Sequence, residues 1–222
     1  MTMLHEQAYS GEISVTQANK VLRNTYSLLA MTLAFSAITA SISMSLNLPH
    51  PGLIITLLGY FGALFFTTKF RDSALGLVGV FALTGFMGYT LGPILNRYLA
   101  LPGGSEIVMM AMAGTATIFF SLSAYALVKK TNFSFMGSFL TVGILVAFLA
   151  GIGAYFFEIQ ALSLAVSAMF VLLMSGLILY QTSEIIHGGE TNYIMATVTL
   201  FVSIFNLFTS LLQLLGVMGS DE

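Results

Sequence analysis

Seven stretches of the chain are apolar for about 17–25 residues, the length of helix that crosses the hydrocarbon core of a bilayer. They predict spans over Thr25–Leu46, Gly52–Thr68, Ser73–Leu95, Ile107–Val128, Phe135–Phe157, Ala161–Tyr180 and Ile194–Val217. Turn and charge chemistry marks the breaks. Asn47-Leu-Pro-His-Pro51 carries two prolines, Lys69-Phe-Arg-Asp72 is a charged turn, and Pro102-Gly-Gly104 and Lys129-Lys-Thr-Asn132 follow. Glu158-Ile-Gln160 is short and Gln181–Tyr193 longer. The short second span and the tight fifth-to-sixth turn leave six or eight as neighbouring counts. The predicted class is an all-α membrane protein with a seven-helix bundle over 24–217. A polar N-terminal tail, 1–23, precedes it and a short C-terminal tail, 218–222, follows.

Composition points the same way. Of 222 residues, 57% are hydrophobic and 7% charged, against roughly 25% charged in soluble domains. So few charges do not cover a water-facing surface, so the lipid bilayer is the first expected partner. The polar, mixed-charge stretch ahead of Thr25 does not fit a cleavable signal, which sets its basic residues first and its apolar run sooner. No basic stripe is present, which argues against nucleic acid. Cysteine is absent, which removes disulfides, zinc-thiolate sites and thiol catalysis together.

The few cations are unevenly placed. Lys20, Arg23, Lys69, Arg71, Lys129 and Lys130 fall on one side of the predicted bundle and Arg97 on the other. Loops rich in Lys and Arg stay in the cytoplasm, so the N-terminus is expected inside. Seven spans then put the C-terminus outside the cytoplasm. The halves align into no convincing inverted repeat, which weakens a transporter of repeated halves.

Two polar features interrupt the apolar pattern. Thr199, Ser203, Asn206, Ser210 and Gln213 recur every three or four residues, one stripe of the last span. Such a stripe cannot face lipid without leaving polar groups unpaired. It either bonds to neighbouring helices or lines a hydrated conduit. The second feature is Glu184, His187 and Glu190 within Gln181–Tyr193. Two carboxylates and an imidazole are suited to binding a cation or to titrating near neutral pH. The alternative is a solvated connection with Gly188-Gly189 as helix stop. The glycines of the third span, Gly85, Gly88 and Gly92, fall on one face and are expected to let a neighbouring helix approach closely.

Catalytic motifs are missing. The chain has no His-Glu-x-x-His, no Gly-x-Ser-x-Gly, no phosphate-binding glycine loop and no aspartate pair inside a span. No enzyme activity, metal or cofactor is expected.

The stretch Gln181-Thr-Ser-Glu-Ile-Ile-His-Gly-Gly-Glu-Thr-Asn-Tyr-Ile194, followed by Ser203-Ile-Phe-Asn-Leu-Phe208, resembles the signature end of the Bax inhibitor (transmembrane Bax inhibitor motif) family. Gly92-Pro-Ile-Leu-Asn96 and Lys20-Val-Leu-Arg-Asn-Thr-Tyr26 fit the same pattern, and the resemblance runs from about residue 20 to 217. It implies seven spans with the last helix at the centre. The details are most similar to a proteobacterial branch of membrane modulators of the FtsH protease, which implies that protease complex as a partner and a bacterial inner membrane, with the C-terminus in the periplasm, as the location. Other members are calcium leaks gated by two aspartates on the last two helices. Gln181 and Ser203 stand at those positions here. Neither side chain titrates, so the resemblance implies no pH gate of that kind. A hydrogen bond between Gln181 and Ser203 is expected in its place. A calcium or proton leak lined by the stripe remains the alternative function.

Overall fold

The computed structural model describes the backbone of residues 2–218 and the side chains of residues 16–217. Among the described residues there are seven helices: α1 (Thr2–Ser45), α2 (Leu53–Lys69), α3 (Ala74–Leu99), α4 (Gly104–Lys129), α5 (Gly137–Phe156), α6 (Gln160–His187) and α7 (Tyr193–Met218). A single 3-10 turn, Ser134–Met136, leads into α5. Six helices are long and apolar enough to cross a membrane, and α2, with 17 residues, is the shorter seventh.

Helix is the natural state here because a chain in lipid must satisfy its own backbone polar groups. Hydroxyl side chains within the helices follow the same rule and turn back to their own carbonyls. Thr67 donates to the Ala63 carbonyl at 2.8 Å, Thr115 to Ala111 at 2.7 Å and Ser175 to Val171 at 2.7 Å. Helix ends coincide with left-handed residues, Gly103 (φ 66°) before α4, Lys130 (φ 49°) after it and Gly188 (φ 77°) after α6.

Three helices overrun their expected limits by four residues or more at one end. The backbone ahead of Thr25, expected as a separate tail, continues α1 from Thr2. The tail's side chains before residue 16, and the C-terminal tail beyond Met218, lie outside the described residues. The α6 helix extends past Tyr180 to His187, so the expected long connection shrinks to 188–192. In α3 the helix continues through Pro93 to Leu99. Proline lacks the N–H that would serve the carbonyl four residues earlier, that of Tyr89. The Ser43 hydroxyl of α1 donates to that carbonyl instead, at 2.9 Å.

That repair is possible because α1 and α3 lie close together. A Cβ on Gly92 would sit 2.5 Å from Ser43, one on Gly85 would sit 2.7 Å from the Phe35 ring, and one on Gly88 would strike Thr39 and Ser36. These glycines are the contact surface for α1, as their spacing predicts.

The connections gather at two ends. At one, the basic end, Asn192 donates to the Arg71 carbonyl at 3.1 Å and to Asp72 at 2.8 Å, while His187 lies 3.0 Å from the Lys130 carbonyl. At the other, Asn96 reaches the Met44 carbonyl at 3.2 Å and the Tyr89 hydroxyl donates to Pro49 at 2.9 Å. The α7 helix packs against α1, α3, α4 and α6, and none of its residues from Tyr193 to Val217 is exposed. The core gathers around it: Leu29, Leu83, Ile178, Phe201 and Leu207 are all buried.

Candidate functional site

The stripe on α7 does not form a single groove. Thr199 and Asn206 line a cavity of about 540 Å³ between α2, α3, α5, α6 and α7, otherwise mostly apolar, with Thr56, Tyr60, Thr90 and Thr141 as its further polar groups. Gln213 borders a different cavity of about 630 Å³ at the end opposite the basic one, with Tyr98, Glu158, Gln160 and Ser163. Between them Ser203 is fully buried and Ser210 nearly so. A 3,4 spacing advances slightly less than the helix turns, about 20° per heptad. Over the two heptads from Thr199 to Gln213 the drift reaches about 40°, in keeping with stripe ends that open onto different cavities.

The stripe's hydrogen bonds divide in the same way. Ser203 donates to the Thr199 carbonyl at 2.7 Å and Asn206 to the Val202 carbonyl at 2.9 Å, both within α7. Gln213 alone of the five makes side-chain bonds to another helix. Its amide donates to Ser163 at 2.6 Å and its carbonyl accepts from Ser167 at 2.7 Å, both on α6. The expected bond between Gln181 and Ser203 is not formed. Ser203 is occupied within its own helix, as a mid-helix serine commonly is, and the buried Gln181 amide nitrogen has no partner among the described residues.

At the basic end, Glu184, His187 and Glu190 each bond to a different group. Glu184 accepts from the Ser134 hydroxyl, and the backbone carbonyl of Glu184 accepts from the Gly189 and Glu190 N–H groups at 2.8 and 3.1 Å. His187 lies against the Ser183 carbonyl at 2.9 Å and the Lys130 carbonyl at 3.0 Å, clasping the end of α6 to the end of α4. Glu190 accepts from the Asn192 N–H at 2.8 Å. Each member holds a different piece of the chain, and among the described residues no group of three His, Asp or Glu side chains is placed to hold a metal ion.

Three further arrangements lie outside the residues singled out above. Asn192 caps α7 by accepting from the Ile194 and Met195 N–H groups, both at 3.0 Å, while tying that helix to the turn before α3. Its signal was an Asn immediately ahead of an apolar run. On α1, Thr25, Thr32, Ser36 and Ser43 are all buried, a second column of hydroxyls at helical spacing that faces into the bundle. On α6, Ser163 and Ser167 are one turn apart and receive Gln213.

Comparisons with known proteins identify the family. Residues 18–220 match the family model described as inhibitor of apoptosis-promoting Bax1. The chain is 52% identical over 208 residues to the Escherichia coli K12 protein named Modulator of FtsH protease YccA, covering 94% of each chain. It is equally similar, over the same share of each, to the Inner membrane protein YccA of Escherichia coli O6:H1. A Pseudomonas aeruginosa protein is 53% identical over 222 residues, 99% of this chain and 100% of its own. With its seven-helix bundle and the signature end of α6 and α7, the chain belongs to the Bax inhibitor family.

Proposed function

We propose that this protein is a seven-span regulator of the bacterial inner membrane that binds the FtsH protease complex and slows its degradation of other membrane proteins. The observation that carries this reading is the 52% identity, over 94% of both chains, with the protein named Modulator of FtsH protease YccA. The basic end, with Lys69, Arg71, Lys129 and Lys130, is the cytoplasmic face, and α2 crosses the membrane as the shortest span.

Physical properties of the bundle support the role. A protease that pulls on its substrate needs a segment to grip and then a structure that yields. The polar stretch ahead of Thr25 offers the grip on the cytoplasmic side. Behind it, α1 is held to α3 by glycine contacts and to α7 by the bond of Thr197 to the Thr25 carbonyl, 3.2 Å. A chain engaged but slow to be extracted occupies the protease and spares its other substrates. Deleting residues 2–20 is expected to lengthen the life of this protein in cells and to remove its protection of a second FtsH substrate. Unchanged turnover of both proteins overturns the proposal.

A second reading, a cation leak for calcium or protons, draws support from the cavity beside Thr199 and Asn206. It requires flux into dye-loaded liposomes that Ser203→Leu or Asn206→Leu abolishes. Flux no greater than in empty liposomes between pH 6 and 8 removes it.

A further inference from the structure

Helices α1 and α4 each pack on α3, α6 and α7, yet they hardly meet one another. The space between them is a groove of about 380 Å³. Its floor is α7, through Phe201, Ile204, Phe205 and Phe208, and Leu91 and Leu95 of α3 border it. Ala37 and Ser41 of α1 and Met112, Ala116 and Phe120 of α4 line it and are exposed. The groove therefore opens on the outer surface of the bundle, between two helices that cross the membrane.

Small side chains create this space. Where α1 meets α3, the glycines of α3 bring the two backbones together. Where α1 faces α4, Ala37, Ala40, Ser41 and Ala116 are also small, but no close approach follows. The volume between them is left for something other than protein.

The walls say what fills it. Of three hydroxyls at the groove, those of Ser41 and Thr115 donate to their own helices, to the Ala37 carbonyl at 2.8 Å and the Ala111 carbonyl at 2.7 Å. The third, of Ser36, lies against Gly88 of α3. An apolar space of this kind does not hold water, and its lining forgoes dispersion contacts until hydrocarbon enters.

Depth separates a lipid tail from a partner's helix. From Leu33 to Met44 the α1 wall rises about 16 Å, close to one leaflet of a hydrocarbon core about 30 Å thick. Toward the basic end the Tyr26 ring of α1 meets Phe119 of α4, centroids 6.1 Å apart, and bridges the two helices. A transmembrane helix has to cross both leaflets and is stopped at that bridge. An acyl chain needs only one.

We propose that the α1–α4 groove seats one acyl chain of a phospholipid from the leaflet farther from the basic end, laid against α7. The tail supplies the contact that α1 and α4 do not make with each other. This is independent of the protease reading, because it concerns the folded protein in its membrane.

The chain contains no tryptophan, so a single introduced one reports from one place. Full-length Phe208→Trp, on the groove floor, and Phe120→Trp, on its rim, are each reconstituted in vesicles of phosphatidylcholine brominated along its acyl chains, a quencher of tryptophan at close range. The two are expected to be quenched to a similar extent, although Phe208 is buried and Phe120 is 68% exposed. Adding Ala37→Leu and Ala116→Leu fills the mouth. It is expected to cut quenching at position 208 several-fold and to spare that at position 120. Quenching at 120 without quenching at 208, or quenching at 208 that survives the filled mouth, overturns the proposal. Native mass spectrometry of the unmutated protein needs no variant to fold. One phospholipid is expected to stay bound after detergent exchange removes the rest. A retained free fatty acid, a lipid-free dimer or a bare monomer overturns the site.

Discussion

Helices α5 and α7 are built from nearly the same apolar alphabet and neither contains Asp, Glu, Lys, Arg or His, yet they occupy opposite situations. The α5 helix packs on α6 and the 3-10 turn, and Phe139, Val146 and Leu149 are exposed on its outer face. Its buried contacts, Leu140, Ala147 and Ala154, repeat every seven residues along one narrow seam. The α7 helix touches four others and exposes nothing from Tyr193 to Val217. What separates them is the placement of a few polar atoms. A hydroxyl or amide toward lipid has no water to bond to, so a helix with a polar stripe is drawn inward, while one with a seam of small residues stays outside. In a membrane, apolarity says that a segment spans, and polarity says where it sits.

The largest expected effect that separates the two helices is in packing. Leu207→Ala, in the buried face of α7, is expected to destabilise the bundle by about 2–4 kcal/mol. Leu149→Ala, on the outer face of α5, is expected to change it by less than about 0.5 kcal/mol. Reversible unfolding of the purified protein measures both, and equal losses break the comparison.

Next comes the bond between α7 and α6. Gln213→Leu strands Ser163 and Ser167 and is expected to cost about 1–2 kcal/mol. Thr141→Val, on α5, removes a hydroxyl that serves only its own Gly137 carbonyl and is expected to leave the unfolding midpoint in place.

Within α5 itself, two glycines sharpen the picture. A Cβ on Gly143 would come 2.7 Å from a Leu173 methyl group, whereas one on Gly153 meets nothing within 4 Å. Gly143→Ala is therefore expected to cost about 1 kcal/mol as Leu173 shifts. Gly153→Ala is expected to be neutral or stabilising by up to about 1 kcal/mol. The same unfolding assay ranks them.

The smallest effect concerns pH. With no acid or base in α5 or α7, the response between pH 7 and 5 must come from elsewhere. In the connection between α1 and α2, partial burial and then the Arg97 charge hold the His50 imidazole below its ordinary value of 6.5. The unfolded chain thus takes the proton first as pH falls. Stability is full above the ordinary value and declines as pH drops through the folded one. His50→Gln is expected to flatten the slope of Tm against pH over this window, and an unchanged slope sets His50 aside.

Much of this arrangement was legible in the sequence. Span length and the breaks at Pro102-Gly-Gly104 and Lys129-Lys130 were enough to place the helices, because a bilayer imposes one length on every crossing. The inward face of α7 followed from the 3,4 spacing of its polar residues. How that face is divided between two cavities did not follow, since it depends on which neighbours stand opposite Thr199 and Gln213. The pairing of Gln181 with Ser203 failed for a local reason, as the serine's nearest acceptor is its own Thr199 carbonyl. The helical reach to His187 takes in the polar run Gln181-Thr-Ser-Glu184, which lies in a helix because Thr182 and Ser183 are buried against α1 and the end of α4. The hydroxyl column on α1 was present as a pattern, but residues as small as Thr and Ser hardly interrupt an apolar run.

The Ser43 hydroxyl and the carbonyl that Pro93 leaves bare also bear on the order in which the bundle is made. A ribosome delivers α1 to the membrane before α3. When the proline arrives, the donor for its orphaned carbonyl is already in the bilayer, so the third helix completes its own backbone only by finding the first. A nascent chain in which that pair has not met carries an open polar group in hydrocarbon, and early closure of α1 on α3 is the step that removes it.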